Sequence, residues 1–188
     1  MYRESLKPMA PTKQLKIIGS RVTVHLVDVS WRTQALPAEP SEAQIESWAV
    51  RLLDLIADRG IVDMQSGISL SISIVSSVEI ANLNRTYRNK AEPTNVLAFP
   101  NDVLDERGLK FIGDIVICND VVFSESEQFE KSLVDRYLHM LVHGLLHLCH
   151  FDHLVESERL EMEALEQQLL SELGVEHPYE VVDGTRSQ

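Results

Sequence analysis

Apolar and polar positions alternate in two stretches of the chain. In the first, Val22, Val24 and Leu26 are interleaved with Thr23 and His25, and in the second, Ile68, Leu70, Ile72 and Ile74 with Ser69, Ser71 and Ser73. A period of two turns one side of each stretch toward a core, so both are predicted to be half-buried strands. Pro37 and Pro40 break the chain after the first of them. Ser41-Glu42-Ala43-Gln44 then matches a capping box, and Ile45, Trp48, Ala49, Leu52, Leu55 and Ile56 follow at helical spacing toward an end near Gly60. A second box, Ser76-Ser77-Val78-Glu79, opens a helix through about Arg88, after which Pro93 forces an extended backbone. Asn95 to Phe99 and Phe111 to Cys118 read as two further strands, separated by the polar connection Asn101 to Gly108. Ser124-Glu125-Ser126-Glu127 is read as a third box. The helix behind it, with Phe129, Leu133, Tyr137, Leu138, Leu141, Val142, Leu145 and Leu146, is apolar around so much of its circumference that it belongs in the core. A last helix from about Val155 to Leu173 carries Met162, Leu165, Leu169 and Leu173 on one stripe and stops at Gly174.

These elements predict a single α+β domain with one mixed four-stranded sheet and about five helices. A chain of 188 residues suits one domain with appendages. Residues 1–20, with Pro8 and Pro11 and no periodicity, are expected to form a flexible arm, 21–175 the domain, and 176–188 a mobile tail. No apolar run approaches the ~20 residues of a membrane span, so no crossing is expected. Two cysteines cannot form a disulfide framework; Cys118 and Cys149 read as small core residues in a reducing, cytoplasmic setting. The net charge of -12 works against a polyanionic partner. From Leu154 onward, however, nine acids face only Arg159 and Arg186, so this end holds seven of the excess negative charges and the rest of the chain only five. Within that remainder, Arg85, Arg88 and Lys90 form an acid-free cluster, the candidate anion-facing surface, although charge alone also fits a solvated helix end.

The chemistry concentrates in one segment. Five of the 7 histidines fall between His139 and His153. His143 and His147 are spaced i, i+4, one above the other on a helix face, where two imidazoles can serve one zinc ion. A third ligand could come from His150 or His153. On an unbroken helix His143 and His150 are separated by about 10.5 Å of rise, too far for a tetrahedral site. If the helix ends at Cys149 or His150, the chain can reverse and bring His153 over the same face, with His150 at the turn in a positive-φ conformation. His139 reads as an ordinary helix residue. Asp152 either orients a ligand or caps the last helix. In HExxH zinc peptidases a glutamate general base follows the first histidine; here that position is Gly144, which disfavours such a peptidase.

Three blocks of the sequence resemble the YbeY family of single-strand-specific, metal-dependent endoribonucleases that act in rRNA maturation. The first runs from Leu83 through Tyr87, Arg88 and Lys90 to Pro93, Thr94, Asn95, Phe99 and Pro100. The second is Gly113 to Cys118, and the third runs from Met140 through His143, Gly144, His147 and His150 to Asp152 and His153. Together they span roughly Val22 to Leu173. The resemblance implies that His143, His147 and His153 hold one Zn2+ per chain at the end of the buried helix and that Arg88 is the basic residue needed for activity. It also implies single-stranded RNA as substrate, action near the 3′ end of small-subunit rRNA, and work in association with the small ribosomal subunit. Arg85 and Lys90 are the candidate substrate-binding cations beside Arg88. The chain departs from the family pattern at His150, where the family has Gly, and at Phe151, where it has Tyr. Two other readings stand beside the endoribonuclease: a zinc hydrolase of another substrate such as a peptide, and a ribosome-assembly factor whose metal is structural.

Overall fold

The computed structural model describes residues 14–18, 21–34, 36–62, 67–152 and 155–175. In chain order its elements are Gln14–Ile18 (β1), Arg21–Trp31 (β2), Glu42–Asp58 (α1), Ile68–Val75 (β3), Ser77–Arg88 (α2), Val96–Leu104 (β4), Lys110–Cys118 (β5), Asn119–Gln128 (α3), Leu133–Leu148 (α4) and Glu156–Glu172 (α5). The strands form one mixed sheet in the order β1-β2-β3-β5-β4, in which β2, β3 and β5 are parallel and β1 and β4 are antiparallel edges.

The α+β architecture, the mixed sheet and the five helices match the sequence pattern. The fifth strand, β1, lies in the stretch expected to be an arm and pairs with β2 from Gln14↔His25 to Ile18↔Arg21. The rest of that arm and the expected tail, 176–188, lie outside the described residues.

The period-two alternation sorts side chains onto two faces of the sheet. Ile68, Leu70, Ile72 and Ile74 of β3, with Ile115 and Ile117 of β5, pack against α1 and α4 in the main core. The opposite face buries a smaller cluster, Val75, Leu97, Val116 and Cys118, under Ile80 of α2. Both predicted capping boxes at the starts of α1 and α2 lie at helix N-termini. Ser41 and Gln44 satisfy each other's backbone groups, and Ser76 accepts from the Glu79 amide.

Three local expectations give way. The Ser124 box does not start a helix, because β5 runs directly into α3 at Asn119 and Ser124 lies inside it. The chain then turns through Glu130 at φ 53°, and Ser132 caps α4 by accepting from the Asp135 amide at 3.0 Å. The polar connection after Phe99 is largely strand: β4 continues to Leu104 and forms a hairpin with β5, irregular between Pro100 and Val103. Finally, α5 begins at Glu156 with Val155 at the N-cap position and no side-chain cap, so Asp152 is not its N-cap.

Helix α4 is the centre of the molecule. Twelve of its 16 residues are buried, between the sheet and α1, α3 and α5. A Cβ on Gly144 would lie 2.9 Å from Ile115 Cγ2, so glycine is what lets the helix approach the sheet this closely.

Candidate functional site

The exposed face of α4 carries His143 and His147. Their rings meet edge to face, with centroids 4.6 Å apart, and their Nε2 atoms are 3.1 Å from each other. Each ring is oriented from behind. The backbone carbonyl of Phe151, which can only accept, takes the Nδ1–H of His147 at 2.9 Å. The Glu166 carboxylate lies 2.6 Å from Nδ1 of His143. With both Nδ1 atoms turned to acceptors, the Nε2 atoms of the two rings face the same point, where a cation can lie between them. Zinc held by two imidazoles sets their nitrogens about 3.4 Å apart, from bonds of ~2.1 Å at a tetrahedral angle. Donor type, tautomer and spacing therefore fit a divalent metal.

Glu166 was not singled out by the sequence reading, which counted it only among the nine acids from Leu154 onward. It is 1% exposed. Its second oxygen faces Nε2 of His139 at 3.6 Å, and Nδ1 of His139 accepts from Arg136 Nη1 at 3.0 Å. Arg136 in turn pairs with Glu125 and lies over the Phe129 ring. Burial alone would raise the Glu166 carboxyl, but the hydrogen bonds from His139 and His143 outweigh it and hold the group below its usual range. His139 thus orients the carboxylate behind His143. The signal was present in the sequence: Glu166 falls on the apolar stripe of α5, between Met162 and Leu169, where an unpaired carboxylate would be costly.

The turn after α4 follows the expected reversal. His150 has φ 67°, its amide bonds the His147 carbonyl at 3.0 Å, and the Phe151 amide bonds the Leu146 carbonyl at 3.0 Å. This is a Schellman motif with histidine in the left-handed position. It turns the Phe151 carbonyl back onto His147 and sends the His150 ring to a separate 370 Å³ cavity beside Cys149 and Asp152. Burial pushes the Cys149 thiol up to about 12, which suits a core residue rather than a thiolate ligand. The expected third ligand, His153, lies outside the described residues. Among the described residues no three His, Cys, Asp or Glu side chains are grouped to hold a metal ion.

Arg88 is the last residue of α2 and lines a 180 Å³ cleft together with His143, His147, Thr94 and Asn95. Its position is fixed by the helix end. Asn89 adopts the left-handed conformation, and buried Asn84 donates from Nδ2 to the Glu92 carbonyl at 2.8 Å, tying the loop to the helix. Arg85 and Lys90 are exposed and are not part of the cleft wall; Arg85 bonds Asn82 Oδ1 at 2.5 Å.

Residues 31–174, more than three quarters of the chain, match the family model described as Endoribonuclease YbeY. The chain belongs to the YbeY family. It is 37% identical to Endoribonuclease YbeY of Idiomarina loihiensis over 144 residues, which cover 77% of this chain and 85% of that one. Identity to the Colwellia psychrerythraea protein of the same name is 35% over 156 residues, 82% of this chain and 97% of that one. The solution structure of TM1509 from Thermotoga maritima shares the fold, with a TM-score of 0.50 at 21% identity over 85% of this chain and 99% of that one. The YbeY match takes in Arg88, the His143–His147 pair, the turn at His150 and Glu166. It leaves out β1 and nearly all of β2.

Proposed function

We propose that this chain is a metal-dependent endoribonuclease that cuts single-stranded RNA, with His143, His147 and His153 holding one zinc ion and Arg88 binding the scissile phosphate. The supporting observation is the single cleft in which two Nε2 atoms converge opposite an arginine. When bound, the ion supplies Lewis-acid activation of the phosphoryl group. The chain's own residues do the rest. Arg88 meets two phosphate oxygens with a planar fork and stabilises charge that grows in the transition state. Glu166 and the Phe151 carbonyl keep the two rings in the ligating tautomer. A peptidase reading is weaker: the HExxH glutamate position is Gly144, pressed against Ile115. A purely structural metal leaves the arginine in the cleft unexplained.

As its biological setting we propose, on the family resemblance, maturation of the 3′ end of small-subunit rRNA in the cytoplasm, in association with the small subunit. No described helix is long and apolar enough to cross a membrane. The test is cleavage of an unstructured RNA and of a casein-like peptide, each with and without chelator. RNA alone should be cut, and only without chelator. Arg88→Ala should lower the rate by orders of magnitude at unchanged metal content and melting temperature, and Arg88→Lys should restore part of it. Wild-type activity in Arg88→Ala, or cleavage indifferent to chelator, would overturn the assignment. Normal rRNA ends in a strain lacking the protein would remove the ribosomal part.

A further inference from the structure

Tyr87 stands directly before Arg88 at the end of α2 and is 65% exposed, so packing in the core does not account for it. Its ring is nonetheless braced. It meets Phe99 of β4 at an edge-to-face angle, with centroids 5.0 Å apart and planes at 65°. Leu97 and Phe99 belong to the cluster under α2, whereas Val96 and Ala98 of the same strand wall the cleft that Arg88, His143 and His147 line. The cleft and the aromatic pair therefore lie on opposite faces of β4, an outermost strand among the described residues. Arg88 reaches the one and Tyr87 belongs to the other, from consecutive positions whose Cα atoms are about 3.8 Å apart and whose side chains diverge by about 100° around the helix. An exposed aromatic alone is ordinary on a protein surface. An exposed ring held by a second ring, beside an arginine that lines the cleft, is what an unpaired strand needs, since its bases are free to stack and each offers a π face. The charge agrees: the segment Arg85 to Lys90 carries three cations and no acid, which suits an anionic chain.

We propose that Tyr87, braced by Phe99, is a stacking platform for the nucleobase of a nucleotide next to the scissile phosphate, so that the RNA crosses the border of the sheet at β4 with a phosphate on Arg88 and a base on Tyr87. The proposal rests on the RNA-cleaving reading above and adds to it a base subsite outside the cleft. Stacking reads the face of a base and not its edge, so the platform accepts all four bases with at most a modest preference for the larger purines. It also gives single-strand preference a physical basis, because a base can lie on such a ring only when it has left its own stack.

The test combines variants at Tyr87 with short single-stranded oligoribonucleotides that carry one cleavage site and are made abasic at each neighbouring position in turn. With wild type, one abasic position beside the scissile phosphate should lower kcat/KM about tenfold, the size of one stacked base. In Tyr87→Ala and Tyr87→Leu the intact substrate should lose about the same factor, and the penalty at that position should shrink to about twofold or less. Tyr87→Phe and Tyr87→Trp should keep both the rate and the penalty. Leucine is the informative control, because it retains apolar area without a flat π face. A purely structural role for Tyr87 would slow intact and abasic substrates alike and leave the penalty undiminished, which would overturn the platform. Tyr87→Ala that binds and cuts RNA like wild type would also overturn it and leave the aromatic pair to a protein partner. Binding is read separately from the reaction with Tyr87→Trp and a single-stranded DNA of the same sequence, since stacking does not require the 2′-hydroxyl. Its indole fluorescence should be quenched well beyond that of wild type, whose Trp31 and Trp48 pack against the core, and much less by the strand abasic at the sensitive position. Wild type that cuts no RNA would defeat the endoribonuclease reading, and the quenching would still decide the platform: present, it upholds base stacking at Tyr87; absent, it overturns it.

Discussion

Glu166 serves two imidazoles from a position with almost no access to water. Glu166→Ala would take away the carboxylate that faces the His143 Nδ1–H and one partner of His139. The buried donors left behind should cost about 1–3 kcal/mol of stability, read as a lower denaturation midpoint. Loss of a partner behind a ligating histidine should also weaken metal retention about 10–100-fold in a competition with a chelating dye. Unchanged retention would mean that His143 needs no carboxylate to act as a ligand. The opposite sign belongs to His150. A non-glycine residue at φ 67° carries backbone strain, and the ring points away from the cleft. His150→Gly should therefore stabilise the chain by about 0.5–1 kcal/mol, raising the melting temperature by roughly 1–4 °C, with metal content unchanged. A loss of metal in that variant would make His150 a ligand after all.

At the level of elements, legibility followed the range of the forces that set each one. The starts of α1 and α2 are fixed by residues three apart, Ser41 with Gln44 and Ser76 with Glu79, and could be read directly. The same four-residue pattern at Ser124 misled, because the choice between it and Ser132 depends on where β5 ends and on the turn at Glu130. The extension of β4 past Pro100 depends on its partner: Val103 and Leu104 are strand because Phe111 and Lys110 pair with them. In the site, the i, i+4 histidines and Arg88 were legible, whereas Glu166 required the packing of α5 on α4. The β4–β5 hairpin owes its turn to Asp105, whose carboxylate accepts from the amides of Arg107 at 2.8 Å and Leu109 at 3.0 Å and pairs with the Arg107 guanidinium. Burial opposes the charge, but the Arg107 side chain and these amides bring the carboxyl from 3.8 down to about 2. Since the folded value lies below the unfolded one, the stabilisation is complete at neutral pH and is lost as the pH falls from about 4 toward 2. Protection of the Leu109 amide, relative to its unstructured exchange rate at the same pH, should fall over that window, and in Asp105→Asn it should be low at every pH. A flat profile in wild type would mean that the turn is held by its backbone alone.

Over the whole molecule, a net charge of -12 meets a substrate of the same sign. Among the described residues Arg88 is the one cation lining the cleft, and Arg136 and Arg159 nearby are paired with carboxylates. Each phosphate contact to a single strand contributes a slope of about -0.7 to log K against log salt, so one or two contacts predict a total near -1. Binding of a short single strand to inactive protein, titrated between about 50 and about 200 mM salt, should show this shallow dependence, and a slope steeper than about -2 would place further cations on the RNA path. The sheet order adds a constraint of another kind. Because β4 is outermost, one side of its backbone has no neighbouring strand among the described residues and is open to pairing with a second chain. Pro100 supplies no N–H there, the ladder is irregular as far as Val103, and exposed Asn101 and Asp102 follow the proline. Val96 and Ala98 of the same strand wall the cleft. The features that discourage two copies from zipping together along this border therefore also keep a neighbour's backbone from roofing over the cleft proposed to take the RNA.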